Sequence, residues 1–432
     1  KLVELNIAEK PIEKIHNSDI FKYSPYKSLS PDQIESLVGI LDALVDNKVK
    51  TLLVEGEAGT GKSVLAIFLF KLLHSNLDEL ELGDFLEEEM ILREYLIKFK
   101  KKYPEPRMAL VVPMASFRST LKRAFRNIAG LSPKMVIGPA ELSQQDYDIV
   151  LVDESHRLRK RKNLGSYFGR FDQICEQFNL DRHAHSEVDW VCHRSKKAVF
   201  FYDPKQSIKP SDANSGDFQR IRADINTKEQ KLVSQFRVNA GGSYAEFISD
   251  LLNVTVDEGH VFHSPGYEFA LFENIDGLVQ AIRAHDQDHG LARLVAGYSW
   301  PWLSQKDPEA FDIQIENTQL RWNSNTKDWI NSEGSINEVG CIHTTQGYDL
   351  NYAGVIFGRE IDFDPASESI VIHRNLYHDR NGRAGIEEPD DLKRYIFNIY
   401  QTLLMRGIRG TLVYAVNPEL RSYLKRHIPR AG

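Results

Sequence analysis

Residues 51–63 read Thr51-Leu52-Leu53-Val54-Glu55-Gly56-Glu57-Ala58-Gly59-Thr60-Gly61-Lys62-Ser63, and the reading of the fold starts from them. Thr51–Glu55 reads as a buried strand, and the apolar run from Val64 to Leu73 reads as a helix. Between them stands G-x-x-x-x-G-K-S, a glycine-rich turn leading into a helix N-terminus. A polyphosphate needs this construction. Glycines let backbone N–H groups curl around phosphate oxygens, and the helix adds the positive end of its dipole. Lys62 is placed to reach β- and γ-phosphates, and Ser63 to put a hydroxyl on Mg²⁺.

Working outward, strand-like runs recur at Met108–Val112, Ile149–Val152 and Ala198–Tyr202, with helical patterns between them. That alternation predicts a parallel sheet covered by helices. A helix is expected from Pro31 to Asp46, after a lead-in over 1–30. The charged stretches 74–104 and 157–197 read as insertions. From about residue 231 the alternation restarts. Leu232–Ser234, Phe269–Phe272, Leu294–Ala296, Val339–Ile342, Gly354–Phe357 and Thr411–Ala415 read as strands. Helices are expected at Ala240–Leu252, Ile275–His285 and Leu392–Met405. Two α/β domains follow, 1–230 and 231–432.

No apolar stretch approaches the ~20 residues a membrane helix needs. Cys175, Cys192 and Cys341 are widely spaced, which suits a reducing cytoplasm. The window holding Cys175, His183, His185, Cys192 and His193 fits no standard zinc spacing. The first residue is lysine, so an upstream segment is expected. A net charge of −7 does not advertise nucleic-acid binding. Two local clusters are more suggestive: Arg157, Arg159, Lys160, Arg161 and Lys162, and Arg118, Lys122, Arg123 and Arg126. Each is either a phosphate-contacting surface or a solvated face.

Further segments carry chemistry. Ile149-Val150-Leu151-Val152-Asp153-Glu154 is an apolar strand ending in two carboxylates. Asp153 suits Mg²⁺, and Glu154 suits a general base that activates water. Phe200-Phe201-Tyr202-Asp203-Pro204-Lys205-Gln206 is a strand ending in polar residues, with Gln206 able to sense a γ-phosphate. Arg237, in Gln235-Phe236-Arg237, together with Arg406 and Arg409 near the last strand, could stabilise γ-phosphate charge from a second domain. Gly340-Cys341-Ile342-His343-Thr344-Thr345-Gln346-Gly347-Tyr348-Asp349 is a strand followed by a polar turn suited to phosphate or sugar contacts.

In this order the segments resemble the motifs of superfamily 1 helicases. More narrowly, the chain is similar to the Schlafen group 3-like DNA/RNA helicase domain family from about residue 30 onward. The carriers are Val152–Leu158, Arg293–Trp300, Gly340–Gly347 and Leu403–Gly407. The resemblance implies an α/β, P-loop NTPase fold of two RecA-like domains, with parallel sheets covered by helices and ATP with Mg²⁺ as cofactors. It implies catalytic roles for Lys62, Glu154, Gln206, Arg237 and Arg406. Nucleotide contacts are implied for Gln33 (adenine), Gly56, Gly59, Thr60, Gly61, Lys62, Ser63, Gln346, Gly347, Asp349 (ribose) and Arg409. Ser63 and Asp153 would hold the metal. Single-stranded nucleic acid, DNA or RNA, would pass Pro113, Ser116, His156, Arg157, His343, Thr344 and Thr345.

Three departures stand out. Asp349 replaces the usual glutamate, Met405 replaces the usual threonine before Arg406, and only 74–104 and 157–197 leave room for accessory subdomains. The leading expectation is a nucleic-acid-dependent ATPase, a helicase or single-strand translocase. The competing one is an ATP-gated module that recruits a partner or controls an attached effector such as a nuclease. A small-molecule kinase is disfavoured, having no use for Arg237, Arg406 and Gln346.

Overall fold

The computed structural model describes residues 31–57, 59–75, 87–128, 130–213, 215–232, 242–325, 329–345 and 348–431. The chain forms two compact units, one holding the described residues through Leu232 and the other those from Gly242. The expected lead-in over 1–30 lies outside the described residues, apart from the helix that follows it at Pro31–Val45.

The first unit is built on β1 (Thr51–Gly56), β2 (Met108–Val111), β3 (Val136–Ile137), β4 (Tyr147–Val152), β5 (Ser195–Tyr202) and β6 (Thr227–Leu232). These pair in the order β3-β2-β4-β5-β1-β6, every pair parallel. Side chains alternate between two cores, as the period of two demands. Leu52, Val54, Leu110, Leu151 and Phe201 face helices 31–45, 62–74 and 115–126. Leu53, Val111, Val150, Val152 and Phe200 face the other side. Buried on both faces, the central strands read as continuous apolar runs.

The two stretches expected as insertions are part of these layers. Leu96 and Phe99 of helix Glu87–Lys102 join the first core. Helices Phe168–Gln177 and Glu187–Arg194 cover the second face with Phe171, Ile174, Trp190 and Val191. The strand expected to open the second half at Leu232 instead closes this sheet. β6 pairs with β1, placing Leu232 opposite Gly56.

The second unit carries β7 (Glu268–Leu271), β8 (Ala292–Ala296), β9 (Ile313–Ile315), β10 (Thr318–Trp322), β11 (Glu338–Gly340), β12 (Leu350–Phe357) and β15 (Gly407–Ala415). Their order is β7-β15-β12-β8-β11-β10-β9, parallel except for the edge pair β10–β9. A separate antiparallel hairpin joins β13 (Ile361–Asp364) to β14 (Ser369–Ile372). Helix Pro389–Leu404 buries Leu392, Tyr395, Ile396, Ile399, Tyr400, Leu403 and Leu404. That is the three-and-four spacing of one helical face. Helix Ile275–His289 covers the other side with Ile275, Leu278, Val279 and Ile282. No described helix is long and apolar enough to cross a membrane.

Candidate functional site

β4, β5 and β1 are neighbours, and all three deliver polar residues from their carboxyl ends. After β1 the glycine-rich loop turns through Gly59 (φ 88) and Gly61 (φ 78) before helix Lys62–His74 begins. Both angles lie in the left-handed region that glycine adopts without penalty. Thr60 is buried, its hydroxyl donating to the Glu57 carbonyl at 2.9 Å. The Lys62 ammonium, nearly buried, donates to the Gly56 and Glu57 carbonyls at 2.7 Å each. It also stands 3.3 Å from Asp203 Oδ2. A phosphate oxygen would compete for the same ammonium.

After β4, Asp153 is wholly buried and Glu154 nearly so. Asp153 Oδ1 accepts from the Glu154 amide at 2.9 Å. Burial, reinforced by the Glu154 charge, pushes the Asp153 carboxyl up to about 7, against a hydrogen bond from Ser63 and the charge of Lys62. Asp153 Oδ2 is buried with no hydrogen-bond partner. An orphaned oxygen on a carboxylate beside a second carboxylate fits a cation, so Asp153 and Ser63 suit a divalent ion. Among the described residues no group of three or more His, Cys, Asp or Glu side chains could hold a metal alone. An ion here would draw its remaining ligands from phosphate and water. The Cys175 to His193 window likewise offers no such group.

After β5, Asp203 caps the short turn Pro204–Gln206, its Oδ1 accepting from the Lys205 amide at 3.0 Å. Its Oδ2 accepts from Gln206 Nε2 at 2.5 Å and faces Lys62. Asp203 thus binds the loop lysine to Gln206. No role for Asp203 follows from the sequence alone. Its signal is the Asp-Pro step directly after a buried strand.

In the second unit Arg406 is almost wholly buried, its Nη1 donating to the Tyr348 carbonyl at 2.9 Å. The Leu350 amide donates to the Arg406 carbonyl at 3.0 Å, so Arg406 and Asp349 lie together at the amino ends of β15 and β12. Arg409 is half-buried within β15. Gln33 is buried in the first turn of helix Pro31–Val45. Arg237, Gln346 and Gly347 lie outside the described residues.

The expected nucleic-acid contacts divide. Pro113 is buried just beyond β2, and Ser116 is half-buried on helix Ala115–Arg126. His156 is wholly buried, with Nε2 2.9 Å from Glu154 Oε2. Arg157 is nearly buried and paired with Asp212. Thr344 and Thr345 are buried, their hydroxyls donating to the Cys341 carbonyl at 3.1 and 2.9 Å. Only His343 of that trio is partly exposed, 3.6 Å from Asp379 Oδ2, its ring 5.7 Å from that of Tyr298.

The basic run 157–162 is largely spent inside the unit. Besides the Arg157–Asp212 pair, Arg159 lies over the Tyr167 ring at 5.0 Å and Arg161 grips Asp172 through two bonds of 2.6 and 2.8 Å. Arg118 is also tied down, donating to the Val112 carbonyl at 2.7 Å.

Comparison with known proteins adds to this geometry. The profile described as Schlafen group 3, DNA/RNA helicase domain, matches residues 49–417. A Saccharomyces cerevisiae protein, "Uncharacterized protein YPL245W", is 28% identical over 409 residues, covering 86% of this chain and 83% of that protein. Two solved structures align at low similarity. One shows two coordinating Pif1 helicases at forked dsDNA, with TM-score 0.32, 10% identity and coverage of 90% of this chain and 92% of that one. The other is Bacteroides sp Pif1 with ADP-AlF4, with TM-score 0.35, 9% identity and coverage of 91% and 94%.

Proposed function

The chain belongs to the Schlafen group 3, DNA/RNA helicase domain family, and from that premise we propose which of its residues carry the chemistry. It is a P-loop enzyme of superfamily 1 type, an ATP-dependent helicase or translocase on nucleic acid. The observation that carries the assignment is the meeting of Lys62, Asp203 and Gln206 beside Asp153 and Glu154, at the carboxyl ends of three adjacent parallel strands. Open α/β sheets bind ligands at that edge.

In this reading the loop amides and Lys62 hold the β- and γ-phosphates. Asp153 and Ser63 hold Mg²⁺, which when bound neutralises phosphate charge. Glu154 takes the proton from the attacking water, and Gln206 registers the γ-phosphate. Arg237 and Arg406 supply positive charge from the second half of the chain, Asp349 reaches the ribose and Gln33 the adenine. Arg409, Gln346 and Gly347 complete the nucleotide contacts. A single strand is met by Ser116 in the first unit and by His343 in the second, while Pro113, His156, Arg157, Thr344 and Thr345, also expected there, are buried.

The test is ATP hydrolysis by the purified chain alone, with single-stranded DNA and with single-stranded RNA, beside Lys62→Ala. Stimulation by one strand type, abolished in the variant, supports a motor and names its track. Turnover indifferent to both, or none, favours an ATP-gated module that waits on a partner or an attached effector. Normal turnover by Lys62→Ala would sink the site assignment.

A further inference from the structure

Glu154 sits at φ 52 and ψ 45, left-handed backbone that costs a residue with a Cβ on the order of 1–3 kcal/mol. The surroundings hold it there. The Asp153 amide donates to the Val111 carbonyl at 3.0 Å, the Arg157 amide to the Glu154 carbonyl at 2.9 Å and the Ser155 hydroxyl to the Phe201 carbonyl at 2.8 Å. The backbone is therefore fixed, but three side-chain torsions still lie between it and the carboxylate. The group facing that carboxylate is His156, at 0% exposure and 2.9 Å from Oε2. Both ring nitrogens are buried and neither makes a well-directed hydrogen bond, although Nε2 lies within ion-pair distance of Oε2. A ring buried only for packing would not need to carry a polar nitrogen into that space, since burying one unbonded is unfavourable. Full burial also removes it from any strand running over the surface.

We propose that His156 is a positioning residue for Glu154, its Nε2–H, 2.9 Å from Oε2, turning into line with that oxygen when nucleotide is bound and so fixing the direction of the other carboxylate oxygen toward the attacking water. The inference rests on the reading of Glu154 as general base. A base displaced by about 1 Å loses roughly a hundredfold in rate.

The experiment measures kcat, KM for ATP, single-strand affinity and melting temperature for the whole chain and for His156→Phe, His156→Gln and Glu154→Gln. His156→Phe is expected to lower kcat about 10- to 100-fold with KM and strand affinity unchanged. Glutamine places an amide where Nε2 stands and is expected to recover most of the rate. The double variant should be no slower than Glu154→Gln alone. His156→Asn, whose amide takes the Nδ1 position, should behave like phenylalanine and supplies the contrast if the larger ring prevents folding. Full kcat in the phenylalanine and asparagine variants overturns the proposal, as does an equal fall in the glutamine variant, or a loss confined to strand affinity. Normal turnover by Glu154→Gln instead removes the general-base reading itself.

Discussion

The two large sheets differ in where their motif residues stand. In the first, the glycine loop, Asp153–Glu154 and Asp203 all leave the carboxyl ends of β1, β4 and β5; Lys62 and Gln206 meet through the Asp203 carboxylate, and Ser63 bonds the Asp153 side chain. In the second, Asp349 and Arg406 precede β12 and β15 at the amino ends, while His343 follows β11 at the carboxyl end. There the side chains bind backbone: Arg406 takes the Tyr348 carbonyl, and Thr344 and Thr345 take that of Cys341. The lesson is that a polar motif residue can act by charge or by holding a loop in shape. In the first sheet a carboxylate faces an ammonium, and in the second the described motif side chains hold backbone carbonyls.

Arg406→Ala breaks the comparison hardest. If Arg406 neutralises γ-phosphate charge, kcat should fall by about 10²-fold or more with nucleotide affinity little changed. The lost bond to Tyr348 should also cost about 1–3 kcal/mol of stability, read as a lower melting temperature. Stability loss with unchanged kcat would leave it a structural arginine. Asp203→Asn tests the first sheet. It keeps shape but removes the carboxylate charge beside Lys62, and should reduce kcat/KM by about tenfold at little cost in melting temperature. A lowered melting temperature with kcat/KM unchanged would move Asp203 to the structural side.

A smaller pair separates His343 from its neighbours. His343→Ala should weaken single-strand binding severalfold, whereas Thr345→Val should leave binding alone and cost about 1 kcal/mol of stability. Titrating labelled oligonucleotides with both variants checks this. The smallest effect concerns the basic run. Hydrogen bonds and charge from Arg161 and Arg182 hold the Asp172 carboxyl down to about 2, below its ordinary 3.8. A depressed carboxylate stabilises above its unfolded value and loses that contribution as pH falls through the folded one. The window is therefore pH 3.8 to 2. Urea denaturation across it should show a slightly shallower pH dependence for Asp172→Asn than for the unmodified chain.

The sequence made the central strands legible because burial on both faces demands unbroken apolar runs such as Leu52–Val54 and Ile149–Val152. Of β6 only its last residue, Leu232, falls in an expected strand, because Thr227–Leu232 sits at a sheet edge and exposes Lys228, Glu229 and Lys231. β9, β10, β13 and β14 alternate buried with exposed or half-buried residues and so offer no apolar run to read. At the site, the glycine loop and the carboxylate pair are local and readable. The role of Asp203 is not, since its partner Lys62 lies 141 residues away. The burial of His156 and Arg157 is not legible either: the resemblance implies a strand contact for both, and the basic run from Arg157 reads as solvent-facing until Asp212, 55 residues on, comes into view.

One feature of the first sheet bears on how the molecule is made. β1 lies between β5 and β6, yet it leaves the ribosome first of the three. With synthesis at about 5–20 residues per second, its backbone donors wait roughly seven to thirty seconds before β5 emerges to meet them. The earliest strand is thus among the last to be paired, and the phosphate loop cannot take its final shape until the sheet's far end arrives. Cotranslational capture should find nucleotide binding absent from nascent chains that stop short of β5.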